Sequence, residues 1–128
     1  GYKVVGDRTR DFLRNPLPYT EYDIVVSNPP FERISSYKQR KTNLKYRCIK
    51  KLIDDDKPFI IIMNSTNLHQ KWFKELAQGV DLKFIIPSKK IQYDKFEEGG
   101  KIPLPTKKNC SFNSIYVCYK ILDTNEWI

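Results

Sequence analysis

With 128 residues, of which 40% are hydrophobic and 30% charged, the chain has the size and composition of one globular domain, which excludes a disordered or collagen-like protein. Its formal net charge of +8 makes nucleic acid the expected partner, although a lysine-rich solvated surface would have the same composition. No apolar run has the length of a membrane span and no signal-peptide pattern opens the sequence, so we expect a cytoplasmic protein.

The predicted elements of the first half alternate between strands and a helix. An apolar run at residues 2–5 ends in glycine and aspartate and predicts a buried strand. Residues 22–27, with the sequence YDIVVS, predict a second strand because β-branched residues follow one another between polar ends. Apolar residues at helical spacing between 44 and 53 predict a helix that ends before or within the acidic run 54–56.

The second half adds three strands and one helix. Residues 58–65, with the sequence PFIIIMNS, are typical of a strand inside a sheet that is covered on both faces. A helix follows, with Asn67 as its predicted N-cap and a closing glycine. Two further strands are predicted at LKFIIP and NSIYVCYKIL, and residues 88–112 between them predict an irregular loop. The fold class is therefore α/β, with a mostly parallel sheet and an antiparallel edge strand.

Cysteine and histidine do not form the pattern of a metal site or a nucleophilic triad. Cys48, Cys110 and Cys118 include no CxxC pair, and His69 is the only histidine. The short ligand spacings of zinc sites are absent, so we expect no metal and reduced, buried thiols. No serine or cysteine signature accompanies His69, so a triad has no support.

The most informative stretch is SNPPF, residues 27–31, directly after the second predicted strand. In an open parallel sheet, ligands bind at the carboxyl ends of the strands. The two prolines stiffen the turn and push Asn28 toward an extended conformation. Its side-chain oxygen and a nearby carbonyl would accept hydrogen bonds from a planar NH2 group, while Phe31 would stack on the base. The motif predicts a pocket for an amino-bearing base, with simple strand termination by prolines as the alternative.

SNPPF after an apolar strand resembles motif IV of the S-adenosylmethionine-dependent amino methyltransferases. GYKVVGDRTRDFL, which precedes it, resembles the strand and acidic turn of phage-like and restriction-associated DNA N6-adenine methyltransferases, and SFNSIYVCYKI is similar to their terminal strand. The resemblance covers most of the chain. It implies a Rossmann-like methyltransferase sheet in a bacterial or phage-type protein, and methyl transfer from S-adenosylmethionine to the N6 amino group of adenine in DNA.

The resemblance implies catalytic roles for Asn28, Pro29, Pro30 and Phe31. Asn28 and the Pro29 carbonyl would bind the target amino group, and Phe31 would stack on the base. Because an adenine inside a duplex cannot reach such a pocket, the base would have to be flipped out of the stack.

Donor and DNA contacts follow from the same resemblance. Asp7 would hold the donor ribose hydroxyls, Asp11 would bind the donor adenine amino group, and Phe12 would pack near that adenine. Ordinary turn residues are the alternative for both aspartates, and a solvated surface is the alternative for the basic residues. The basic residues that suit a phosphate backbone are Arg33, Lys38, Arg40, Lys41, Lys45, Arg47, Lys89, Lys90, Lys101, Lys107 and Lys108. We expect residues 88–112 to take part in target recognition.

The sequence departs from the family at the donor site. It contains no strand followed by a glycine-rich turn, and its first residue is Gly1 rather than methionine. We therefore expect residues 1–128 to form a single, partial methyltransferase domain that is inactive alone. An N-terminal segment or a partner chain would supply the missing strand and turn.

Two other classes of function remain open from the residues. NPPF also serves methyltransferases that act on guanine N2 in ribosomal RNA or on a protein glutamine, because each substrate presents a planar NH2 group. The other class is a non-catalytic, nucleic-acid-binding remnant of the fold.

Overall fold

The computed structural model describes residues 3–5, 23–28, 44–92, 95–96, 103–104 and 113–128. Its elements, in chain order, are β1 (Val25–Ser27), α1 (Leu44–Asp54), β2 (Phe59–Asn64), a 3-10 helix (Ser65–His69), α2 (Lys71–Ala77), β3 (Leu82–Ile86), β4 (Lys95–Phe96), β5 (Pro103–Leu104), β6 (Ser114–Tyr119) and β7 (Glu126–Trp127). The chain therefore has an α/β fold, as the sequence predicted. None of the helices in the described ranges combines the length and apolar character needed to span a membrane.

Five strands form one mixed sheet in the order β1-β2-β6-β3-β7, while β4 and β5 pair separately. β1 and β2 are parallel, β3 and β7 are parallel, and β6 is antiparallel to both β2 and β3. Within this sheet four strands therefore run in one direction, which agrees with the predicted mostly parallel sheet.

The predicted position of the antiparallel strand is wrong. β6 lies inside the sheet, between β2 and β3, and not at an edge. Its side chains explain this position, because Ile115, Val117 and Cys118 are all buried. A strand buried to this extent needs hydrogen-bond partners along both of its backbone edges, and an edge position would leave one of them unpaired.

The core lies on one face of the sheet, under the two helices. Phe59, Ile61 and Met63 alternate with half-buried residues along β2, so one face of this strand is fully covered. The helices cover it with Ile49 and Leu52 from α1 and with Phe73 and Leu76 from α2. The opposite face is only partly buried: Ile60 and Ile62 of β2 are half-buried, whereas Cys118 of β6, which pairs with Ile60, is 1% exposed.

The acidic run after α1 ends the helix as predicted, at Asp54. Three carboxylates at a helix C-terminus oppose the helix dipole, so they need compensating cations. Each has a lysine within ion-pair distance: Lys50 with Asp54, Lys51 with Asp55, and Lys120 with Asp56. Asp56 has a φ of 55°, which turns the chain from the helix toward β2.

Three smaller predictions have mixed outcomes. The strand predicted at residues 2–5 is wrong for 3–5, which are in no strand, and Val4 is 88% exposed. The closing glycine of α2 is confirmed, since Gly79 lies just after the helix with a φ of 74°. Cys118 is buried as expected, which raises the pKa of its thiol, whereas Cys48 is half-buried and neither forms a disulfide. Cys110 lies outside the described residues.

Candidate functional site at the carboxyl ends of the strands

The edge of the sheet at which β1, β2, β3 and β7 end is called the carboxyl edge below. Asn28 lies there, directly after the last residue of β1, and is exposed. β1 is held in place by its parallel ladder with β2, in which Ser27 faces Ile61, and by the Val25 N–H, which donates to the Pro58 carbonyl at 3.0 Å. The Asn28 amide is thus open to solvent at the end of a strand whose backbone is fixed.

Two of the predicted basic residues lie at the same edge. Lys89 and Lys90 follow β3 after Pro87 and Ser88, and both are exposed. β1 and β3 are three strand spacings apart in the sheet order, which corresponds to about 14 Å. The structure therefore brings Asn28 and these lysines to one edge without direct contact between them.

Of the predicted basic residues, Lys45 and Arg47 lie on α1, where Arg47 is exposed. The remaining predicted site residues lie outside the described part of the chain: the motif residues Pro29, Pro30 and Phe31, the donor-site residues Asp7, Asp11 and Phe12, and the basic residues Arg33, Lys38, Arg40, Lys41, Lys101, Lys107 and Lys108. Their roles stay predictions.

A polar turn follows β2 at the carboxyl edge, and sequence reasoning gave it no functional role. The Asn64 side chain caps the 3-10 helix by accepting a hydrogen bond from the Thr66 N–H at 3.1 Å. The Ser65 N–H donates to the Asn113 carbonyl at 2.8 Å, which ties this turn to the start of β6. The turn is therefore fixed by hydrogen bonds to two strands beside Asn28.

Asn67 joins this turn to α1. It is 8% exposed, its Nδ2 donates to the Asn64 carbonyl at 2.8 Å, and its Oδ1 accepts from Lys45 Nζ at 3.3 Å. The predicted role of Asn67 as an N-cap is wrong, because Gln70 occupies the N-cap of α2. The amide is instead used for a local bond to Asn64 and for a bond to Lys45 on α1, which only the fold brings close.

Lys45 places a cation near the carboxyl edge. Partial burial lowers the pKa of its ammonium group. It also lies in the first turn of α1, where the helix dipole disfavours a positive charge. A nearby anion would relieve both effects.

The described residues carry hydrogen-bonding groups and cations at this edge rather than a metal centre. Among them no group of three or more histidine, cysteine or acidic residues is placed to hold a metal ion. Val26, on the strand that leads to Asn28, is 71% exposed. No family model, curated protein or solved structure matches the chain. Its function must therefore be inferred from the chemistry of the carboxyl edge.

Proposed function

We propose that this chain carries the target-base half of a methyltransferase that transfers a methyl group from S-adenosylmethionine to the N6 amino group of adenine in DNA. The observation that carries the proposal is the exposed Asn28 at the carboxyl end of a parallel strand, within the sequence SNPPF. This is where ligands bind in open α/β sheets, and an asparagine followed by two prolines offers fixed acceptors there.

Asn28 would act by orienting the target amino group. Its side-chain oxygen and the Pro29 carbonyl would each accept one N–H of the adenine N6 group. With both N–H groups directed in this way, the nitrogen lone pair turns away from conjugation with the ring and toward the methyl donor. Orientation and proximity of this kind can supply roughly 7–11 kcal/mol of a barrier in favourable cases.

S-adenosylmethionine, when bound, supplies the methyl group. The described residues leave the region beside β1 open, so we propose that the donor site is completed by an N-terminal segment or a partner chain. The residues that resemble the donor site of the family, Asp7, Asp11 and Phe12, would contribute to it.

DNA as the substrate is supported by charge. The chain carries a net charge of +8, and Lys45, Lys89 and Lys90 lie at or near the carboxyl edge that holds Asn28. A target base would be flipped out of the duplex to reach Asn28, and the cations on the β2–β3 side of β1 would hold flanking phosphates.

The test is methyl incorporation by the full-length product of the reading frame that encodes this chain. We expect labelled methyl groups from S-adenosylmethionine to enter adenine-containing DNA and to appear as N6-methyladenine by mass spectrometry. Asn28→Ala should reduce the rate on the order of 100-fold or more, as expected when a fixed hydrogen-bond partner of the reacting group is removed. DNA affinity, measured by fluorescence anisotropy, should change little.

The matched control is Asn113→Ala, which removes another exposed amide at the same edge and leaves intact the Asn113 carbonyl bonded to Ser65. It should retain nearly full activity. Methyl transfer to guanine N2 of ribosomal RNA or to a protein glutamine, but not to DNA, would reject adenine as the target. An absence of transfer to all three substrates, with DNA binding retained, would favour the non-catalytic binding protein.

A further inference from the structure

Trp127 is a large aromatic residue that the fold leaves in solvent. The chain has two tryptophans. Trp72 packs against the core and makes edge contacts with the rings of Tyr46 and Phe73, whereas the side chain of Trp127 on β7 is 75% exposed. Ile128 beside it is 64% exposed. An aromatic ring of this size, left in solvent on a strand, offers a flat apolar face for contact with a ligand.

The backbone that carries Trp127 is held firmly. Asn125 Oδ1 accepts a hydrogen bond from the Phe84 N–H at 2.9 Å, and the Ile128 N–H donates to the Ile86 carbonyl at 3.0 Å. A further bond runs from the Ser88 N–H to the Ile128 carbonyl. These bonds attach the segment along β3 on both sides of Trp127, so the indole projects from a fixed strand.

Two exposed lysines lie next to this strand. Lys89 and Lys90 follow Ser88 directly, and the structure gives neither an ion-pair partner among its described residues. The acidic neighbour Glu126 points to the opposite face of the strand by alternation, and its Oε1 accepts from Thr124 Oγ1 at 3.0 Å. An exposed ring beside exposed cations is the combination that binds single-stranded nucleic acid, with stacking on the ring and phosphate contacts to the cations.

We propose that Trp127, together with Lys89 and Lys90, forms a stacking platform for a base of single-stranded DNA. It lies at the end of the carboxyl edge opposite Asn28. The sheet order puts four strand spacings between β1 and β7, about 19 Å. The proposal rests on the proposed function only in taking DNA as the partner, because stacking requires no methyl transfer.

The experiment measures binding of a fluorescein-labelled oligo-dT of 12 nucleotides to the full-length product of the reading frame that encodes this chain, by anisotropy, together with tryptophan emission. We expect the oligonucleotide to quench tryptophan emission. Trp127→Ala should weaken binding about 5- to 150-fold, the range for loss of one base–aromatic stack, while Trp127→Phe should retain most of the affinity. Ile121→Ala, which removes an exposed apolar side chain away from β7, is the matched control and should bind within about twofold of the wild type.

Comparison of Trp127→Leu with Trp127→Phe distinguishes stacking from simple apolar contact. The proposal is overturned if Trp127→Ala binds like the wild type, or if Trp127→Leu binds as tightly as Trp127→Phe. It is also overturned if the chain self-associates through Trp127 in sedimentation experiments and its DNA affinity does not depend on that residue. Circular dichroism of each variant checks that it is folded, and quenching of the wild-type emission supplies a readout that needs no substitution.

This test and the methylation test can fail separately. Trp127-dependent binding with no methylation by the full-length protein would leave the platform in place and reject the enzyme. Asn28-dependent methylation, together with DNA binding that does not depend on Trp127, would support the enzyme and reject the stacking platform.

Discussion

Replacing Asn67 with alanine tests whether the hydrogen bonds behind the carboxyl edge contribute to the stability of the fold. The substitution removes the donor to the Asn64 carbonyl and the acceptor for Lys45 Nζ from a residue that is 8% exposed. Loss of a partner for a buried polar group costs about 1–3 kcal/mol. Lys45 is only partly buried, so the Asn64 carbonyl should dominate and we expect a loss of about 1–2 kcal/mol in the free energy of unfolding.

Urea denaturation followed by circular dichroism measures this loss. The midpoint should fall while the slope with urea stays constant, because the surface exposed on unfolding does not change. Asn113→Ala, at an exposed asparagine, should stay within about 0.5 kcal/mol of the wild type. If Asn67→Ala also stays within that margin, the hydrogen bonds of Asn67 do not stabilise the fold and the reasoning is wrong.

Asn67→Asp separates the two hydrogen bonds. Aspartate keeps an acceptor for Lys45 Nζ but cannot donate to the Asn64 carbonyl when ionised. If the donation to Asn64 dominates, as we expect, Asn67→Asp should be destabilised about as much as Asn67→Ala. Wild-type stability of Asn67→Asp would assign the effect to Lys45 instead.

Two further predictions concern stability. The hydrogen bonds that Lys120 and Tyr119 donate to Asp56 lower the pKa of its carboxyl group from 3.8, so the stabilisation is present above that value and is lost as the pH falls through the lower, folded pKa. The free energy of unfolding measured between about pH 5 and pH 2 should therefore fall less steeply in Asp56→Asn, and an unchanged slope would contradict this. Ile61→Ala, at a side chain that is 1% exposed, should lower the free energy of unfolding measured in urea by about 2–5 kcal/mol. Val26→Ala, at a side chain that is 71% exposed, should change it by no more than about 0.5 kcal/mol. Similar losses in both variants would refute the assignment of the core face.

Local sequence patterns predicted most elements of the sheet but not their order. The apolar runs that form β2, β3 and β6 could be recognised in the sequence because each has the length and the β-branched composition of a strand. The position of β6 between β2 and β3 depends on pairs such as Ile61 with Val117, which lie 56 residues apart, so no local pattern contains it. The error at Val4 has a related cause, since an apolar run becomes buried only where another element covers it.

The candidate site likewise has features that a local sequence pattern predicts and features that only the folded chain creates. The location of Asn28 after a strand could be predicted because motif and strand are contiguous in sequence. The bond between Asn67 and Lys45 joins residues 22 positions apart, and the polar run after β2 was the only local signal for it. Sequence reasoning missed Trp127 because β7 has two residues, which are too few to show a periodic pattern of apolar side chains.

The reversed direction of β6 has a consequence for the loop between β3 and β6. β3 ends at the carboxyl edge, and β6, which pairs antiparallel with it, begins there, as the pairing of Asn64 with Ser114 shows. Residues 88–112 therefore leave from and return to the edge that holds Asn28, from neighbouring strands about 5 Å apart. Had β6 been parallel, one end of this segment would lie at the opposite edge. Under the proposed function, substitutions within residues 88–112 should therefore change target recognition while leaving the core of the sheet intact.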